Sequence, residues 1–145
     1  MITVSSVFVA GLLVVLLLLW PRNDEITFTY SGSVLNGSYS ETLPSETISI
    51  NQGTPLANSG VMNVPTTANG TALPLGDVTT AGCLYLKNLD STNYVQFGVR
   101  NAGTLYVTGR LNPGEVAWFR IDAGSTLYLI ANTAPCKVQF YLFNN

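Results

Sequence analysis

Histidine is absent from the 145 residues of this chain, and charged side chains make up only 10% of it. Without histidine, the chain lacks the commonest general base, the usual partner of a catalytic nucleophile and the commonest zinc ligand. Six basic and eight acidic residues give a net charge of -2, so no basic field attracts nucleic acid. These scarcities predict a protein that is not an enzyme and that binds no metal, cofactor, nucleic acid or small-molecule substrate.

The first 21 residues contain no charged side chain. As a helix, residues 2–20 would be about 28 Å long, close to the roughly 30 Å hydrocarbon core of a bilayer. Pro21 would end that helix, beside an interfacial tryptophan. We therefore predict one membrane-spanning helix over residues 1–21, with a lipid bilayer as partner. Its anchoring side chains would be Val7, Phe8, Val9, Leu12, Leu13, Val14, Val15, Leu16, Leu17, Leu18, Leu19 and Trp20.

The apolar segment has two other interpretations. A cleaved secretory signal is disfavoured, because no Lys or Arg precedes the segment and no small-x-small site follows it. Packing against copies of itself, in the centre of a filament or shell, would suit a helix that is apolar on every face as well as lipid does.

From residue 26 onward, short alternating runs are separated by Gly, Pro, Asn, Asp and Ser, a pattern typical of strands and tight turns. Strands are predicted at residues 26–30, 47–50, 83–86, 94–99, 104–107, 116–120, 127–130 and 137–143. Because no helical pattern separates them, they favour an antiparallel β-sandwich, jelly-roll-like or immunoglobulin-like.

The predicted fold class is therefore mainly β, an antiparallel sandwich with one amino-terminal hydrophobic transmembrane-type helix. The helix would occupy residues 1–21 and the sandwich domain residues 22–145. Within that domain, residues 22–80 would supply first strands and loops rich in Ser, Thr, Gly and Asn, and residues 81–145 the core strands.

Alternation within the strands predicts which side chains face inward. Val95, Phe97 and Val99 share one face of their strand and are expected in the core. Residues 138–143 are apolar on nearly both faces, which predicts a central strand or a subunit contact.

Charge is distributed unevenly along the chain. Residues 1–86 hold one basic and five acidic side chains, whereas residues 87–145 hold five basic and three acidic ones. The two halves could attract each other between neighbouring copies, although most such charges are simply solvated.

Cys83 and Cys136 are the only cysteines, and each lies at the start of a predicted strand. If those strands were neighbours, a disulfide could close a long loop. The alternative is a pair of buried thiols that act as small hydrophobic side chains.

Aromatic side chains offer a surface that could bind carbohydrate. Trp118, Tyr85, Tyr106 and Tyr128 are the candidates, because sugars stack their apolar faces on aromatic rings. The same residues also show the alternation of ordinary cross-strand packing, which is the favoured interpretation.

Four turn motifs resemble those of small bacteriophage virion proteins. They are Gly-Asp-Val-Thr-Thr at residues 76–80, Asn-Leu-Asp-Ser-Thr-Asn at 88–93, Leu-Asn-Pro-Gly-Glu at 111–115 and Ala-Gly-Ser-Thr-Leu at 123–127. The resemblance covers roughly residues 70–145 and implies a structural β-sandwich subunit without catalysis. The apolar amino-terminal segment departs from that pattern and favours a virus whose capsid contacts a bilayer.

We therefore predict a non-enzymatic virion structural protein, a single-pass membrane-anchored subunit that links a protein shell to a lipid bilayer. Other copies of itself or other capsid proteins would be its partners. One alternative is a cell-surface filament or pilus-like subunit with the amino-terminal helices in its core. Another is a membrane-anchored glycan- or receptor-binding module.

Overall fold

The computed structural model describes residues 25–53 and 56–145. Its ten strands are β1 (Glu25–Asn36), β2 (Tyr39–Asn51), β3 (Ala57–Val64), β4 (Thr71–Ala72), β5 (Ala81–Asn88), β6 (Val95–Asn101), β7 (Thr104–Leu111), β8 (Val116–Arg120), β9 (Leu127–Ala131) and β10 (Cys136–Asn144). All recorded pairings are antiparallel. This is a β fold, built from residues that alternate between two faces.

The predicted fold class is wrong in including a helix, because every regular element in the described part of the chain is a strand. In residues 25–53 and 56–145, apolar and polar side chains alternate every two residues, as in strands, and turn formers interrupt the runs. This pattern gives no apolar stripe with the 3.6-residue period of a helix. No helix among residues 25–53 and 56–145 is long and apolar enough to cross a membrane. The segment predicted as a membrane helix, residues 1–21, lies outside the described residues.

Strands β3 to β10 form two four-stranded sheets. Sheet I has the order β3-β10-β5-β8, and sheet II has the order β4-β9-β6-β7. The first of these eight strands therefore pairs with the last, the second with the seventh, the third with the sixth and the fourth with the fifth. An eight-stranded ribbon folded in this way is a jelly roll, so the structure selects this arrangement over the immunoglobulin-like one.

The hydrophobic core lies between the two sheets. Its buried side chains come from the inward faces of both, and they include Leu84, Leu86, Val95, Leu129, Val138 and Leu142. Phe97 of sheet II stacks on Phe119 of sheet I, with ring centroids 5.3 Å apart. A Cβ at Gly109 would collide with the Phe97 ring, so this glycine leaves the space that the ring occupies. The two sheets are thus joined mainly by apolar packing.

Strands β1 and β2 form a separate two-stranded sheet, which we call the arm. A two-residue turn closes its tip between Asn36 and Tyr39, and Gly37 takes the positive φ of 60° that this turn requires. The register shifts between Tyr30 and Gly32, where β2 carries one extra residue. Most arm side chains are exposed.

Two buried asparagines, one at each end of the sandwich, form hydrogen bonds to the backbone of the connecting turns. The side-chain amide of Asn88 donates to the carbonyl oxygens of Asn93 and Leu111, and its oxygen accepts from the Asp90 amide. At the other end, the side-chain oxygen of Asn144 accepts from the Thr80 amide at 2.9 Å. These bonds fix the turns that connect the two sheets.

Each of the eight predicted strands overlaps a strand of the structure, while β3 and β4 were not predicted. Strand β10 is central in sheet I, between β3 and β5; its inward side chains Val138, Phe140 and Leu142 are buried, whereas Tyr141 on its outer face is 41% exposed. Val95 and Phe97 do belong to the core region. Val99 was expected there too, but 41% of its surface is exposed.

Candidate functional site

The arm is amphipathic, because its register places most apolar side chains on one face and most hydroxyl side chains on the other, with Leu35 as the apolar exception on the hydroxyl face. The apolar arm face carries Ile26, Phe28, Tyr30, Val34, Tyr39, Leu43, Ile48 and Ile50. The opposite face carries Thr27, Thr29, Ser33, Leu35, Ser40, Thr42, Thr47 and Ser49. The hydroxyl groups of Thr29 and Thr47 form a cross-strand hydrogen bond of 2.9 Å. This surface was not predicted, although the alternation at residues 26–30 and 47–50 indicates its base.

The base of the arm rests on the outer face of sheet I. The rings of Phe28 and Trp118 are parallel within 4°, with centroids 4.2 Å apart. The aromatic row continues on both sides of this stack, through Tyr30 on the arm and through Tyr85 and Tyr141 across the sheet. This contact attaches the base of the arm to the jelly roll, beside the hydrogen bonds that Gln52 and Gly53 donate to the carbonyl oxygens of Asn144 and Asn145.

The predicted aromatic contact residues do not form one site. Trp118 and Tyr85 pair across β8 and β5 on the outer face of sheet I, whereas Tyr106 and Tyr128 belong to sheet II. Phe28 also covers one face of the Trp118 ring, which a stacked sugar would need. The structure therefore favours the packing interpretation of Trp118 over the sugar-binding one.

The outer face of sheet II combines basic and apolar side chains. The Arg100 guanidinium lies 4.7 Å from the centroid of the Tyr128 ring, and the Arg110 guanidinium lies 4.9 Å from that of Tyr94. Both are cation–π contacts, which hold the arginine side chains close to the sheet. Val107 is exposed beside them. This face is a second candidate contact surface.

Cys83 and Cys136 are both buried and both free. Leu84, next to Cys83, pairs with Leu142, which lies six residues beyond Cys136 on β10. At about 3.3 Å per residue this places the two thiols about 20 Å apart, whereas a disulfide needs Cα atoms within about 7 Å. The disulfide that the sequence left open is therefore excluded by the strand register. Burial raises the pKa of each thiol above its ordinary value.

Two acidic side chains cap the backbone of the turns they belong to. Asp90 accepts from the amides of Asn93 at 2.6 Å and Thr92 at 2.8 Å, and these bonds lower its pKa. The carboxylate of Glu115 accepts from the side chain and the backbone amide of Asn112, which lowers its pKa in the same way. Both acids are committed to turn structure.

The four motifs that carry the resemblance to virion proteins all form turns. The Val78 amide donates to the Leu75 carbonyl, and the Ser125 amide donates to the Asp122 carbonyl. The other two motifs are the turns that Asp90 and Glu115 cap. The motifs therefore mark connections between strands of the jelly roll, as their sequence predicted.

A shallow pocket of about 450 Å³ lies where the chain ends, lined by Arg120, Ile121, Asp122, Ala123 and Asn145. The Arg120 guanidinium donates a hydrogen bond to the Asn145 side chain across it. Among the residues that the structure describes, no three His, Cys, Asp or Glu side chains come together as a metal site. The arm and the outer face of sheet II are thus the surfaces with the clearest chemical character.

No protein-family model, curated protein or solved structure matches this chain.

Proposed function

We propose that this protein is a non-enzymatic structural subunit of a virion, which joins its neighbours through the arm. The arm is the observation that carries the proposal. It extends an exposed apolar face from a jelly roll, and its own chain contacts that face through an aromatic stack at the base. Exposed apolar surface of this kind is typical of subunits that bury it on assembly.

Two further observations support the proposal. Jelly rolls are the fold of many viral capsid proteins, although lectins and cupins share it, so the fold alone does not choose among them. The turn motifs at residues 76–80, 88–93, 111–115 and 123–127 resemble those of bacteriophage virion proteins. Contact with a lipid bilayer rests on sequence alone, namely the uncharged residues 7–20.

The test is to follow the protein in purified particles. We expect it to sediment with intact particles in a fixed ratio to the other shell proteins, and to be lost from them when residues 31–46 are replaced by a short turn. Full incorporation of that arm-deleted variant would contradict the assembly role. Flotation with lipid analysis, before and after mild detergent, tests bilayer contact separately: detergent release supports it, and a dense lipid-free particle opposes it.

A further inference from the structure

The outer half of the apolar arm face has no cover within the described part of the chain. Its side chains Tyr30, Val34, Tyr39 and Leu43 are each between 40% and 56% exposed. The strands that carry them are 12 and 13 residues long, well beyond the usual five or six. An isolated two-stranded sheet is only marginally stable in water, so this half of the arm gains most from a surface that covers it.

The uncovered face is acidic as well as apolar. Glu46 pairs with Tyr30, and Glu41 pairs with Val34, so both carboxylates lie on the apolar arm face. Between residues 23 and 86 the sequence contains no lysine or arginine. A complementary surface would therefore be apolar and basic.

The outer face of sheet II has this character. Arg100 and Arg110 are both exposed there, next to exposed Val107. Arg110 lies near the carboxylate of Glu115. The pKa of Glu115 is lowered mainly by its hydrogen bonds from Asn112 and least by the charge of Arg110. Because both arginine side chains are exposed, both are accessible to a partner.

The charges on the two surfaces have matching spacing. Glu46 and Glu41 lie opposite Tyr30 and Val34, which are four residues apart on β1. Arg110 lies opposite Gln96, which is four residues from Arg100 on β6. At about 3.3 Å per residue, each pair is offset by about 13 Å along the strand direction; Glu41 and Glu46 share β2, whereas Arg100 and Arg110 lie on the neighbouring strands β6 and β7. Two carboxylates on the arm can therefore meet two guanidinium groups on the sheet at once.

The two surfaces cannot meet within one molecule. The base of the arm is held on the outer face of sheet I by the Phe28–Trp118 stack. The outer face of sheet II is on the opposite side of the sandwich, beyond two sheets packed about 10 Å apart. Because each copy carries both surfaces, the partner that fits is a second copy.

We propose that the outer half of the arm docks on the outer face of sheet II in a second copy of this chain, with Glu41 and Glu46 facing Arg100 and Arg110. This inference rests on the proposed function as a structural subunit and extends it by naming the partner of the arm. The contact is heterologous, since it joins two different surfaces, so repeated contacts close into a ring or extend as a chain of copies.

Charge reversal tests the contact in the full-length chain, purified in a mild nonionic detergent and followed by sedimentation velocity. The arm variant is Glu41→Lys with Glu46→Lys, and the sheet variant is Arg100→Glu with Arg110→Glu. We expect the wild type to associate in a concentration-dependent manner that salt weakens. Each variant alone should associate about 100-fold or more weakly, because like charges then face each other.

Mixing the two variants in equal amounts should restore association, because each arm then meets a sheet of opposite charge. The matched control is Ser40→Lys with Thr42→Lys, which adds positive charge to the opposite face of the arm and should associate far more strongly than the arm variant. Association that is unchanged in all variants, or is not restored by mixing, would overturn the contact. If particles still incorporated both variants, the proposed structural role would be retained and only the contact between arm and sheet would be rejected.

Discussion

Phe28 lies flat against Trp118, with ring centroids 4.2 Å apart and ring planes within 4° of parallel. One residue belongs to the arm and the other to β8 of the jelly roll, so this stack joins two parts of the fold that share no backbone ladder. The position of the arm therefore depends on side-chain packing at its base, together with the hydrogen bonds that Gln52 and Gly53 donate to the carbonyl oxygens of Asn144 and Asn145. Substitutions at Phe28 separate the packing of the arm from jelly-roll stability.

Replacing Phe28 with alanine should loosen the arm at its base. Aromatic stacks are worth about 0.5–1.5 kcal/mol beyond the area they bury, so we expect a stability loss of about 1 kcal/mol and faster proteolysis within residues 25–51. Emission from Trp118, measured in a Trp20→Phe background, should shift to the red as water reaches the indole. Phe28→Tyr, which keeps the ring, is the control; an unchanged emission in Phe28→Ala would contradict the attachment.

Removing the side chain of Asn88 should destabilise the jelly roll strongly. Its amide and carbonyl groups bond the backbone at Asp90, Asn93 and Leu111 in a buried setting. Unsatisfied buried groups cost about 1–3 kcal/mol each, so Asn88→Ala should lower the free energy of unfolding by at least about 2 kcal/mol in urea titrations. The exposed Asn63→Ala should change it by less than about 0.5 kcal/mol. Equal effects would refute this role for Asn88.

Ala102 should be a site where substitution stabilises the fold. It forms the turn between β6 and β7 with Gly103, and its φ is 48°. This left-handed conformation costs a residue with a Cβ about 1–2 kcal/mol, and asparagine tolerates it better. We expect Ala102→Asn to raise stability by about 0.5–1 kcal/mol and Ala102→Val to lower it. The melting temperatures of both variants test this prediction. A higher melting temperature for Ala102→Val than for Ala102→Asn would contradict the turn geometry.

The cap at Asp90 should make part of the stability depend on pH. Hydrogen bonds from Asn93 and Thr92 lower its pKa in the folded state. A group with a lowered folded pKa contributes stability above its unfolded pKa, about 4, and loses that contribution as the pH falls through the folded value. Wild type should therefore melt at a higher temperature than Asp90→Asn at pH 7, and the difference should shrink below pH of about 4. A difference that persists unchanged at pH 2 would contradict this.

The two cysteines should behave as buried thiols. We expect neither Cys83 nor Cys136 to react with a thiol reagent in the native protein within minutes, and both to react in urea, because burial restricts access and raises their pKa. Dithiothreitol should leave the melting temperature unchanged. A disulfide would have added about 2–4 kcal/mol, so a drop in that temperature on reduction would reveal one.

Much of the jelly roll could be predicted because its strands alternate clearly, as at Val95 and Phe97. Strand β3 was not predicted because its sequence, Ala-Asn-Ser-Gly-Val-Met-Asn-Val, mixes polar residues and glycine, as edge strands often do. Val99 keeps the inward register, yet it is exposed toward the end of β6. Alternation gives the direction of a side chain but not how far the opposite sheet extends.

The candidate surfaces were harder to predict because they depend on pairs distant in sequence. Nothing near Trp118 indicates that Phe28 will cover it. The outer arm, residues 31–46, is rich in serine and threonine and was expected to form loops and short strands, whereas it continues the hairpin. The uneven charge of the two halves left attraction between copies as one alternative to simple solvation, and the equal offset of the two charge pairs follows only from the strand register.

The jelly-roll core draws its buried side chains from residues 64–142, and none of them lies in the arm. Substitutions in the arm beyond Tyr30 therefore leave core packing untouched, and so do matching changes on the outer face of sheet II. A family of chains could keep one sandwich and vary these two surfaces together. If the proposed contact joins the copies, chains with mismatched charges would sort into separate assemblies.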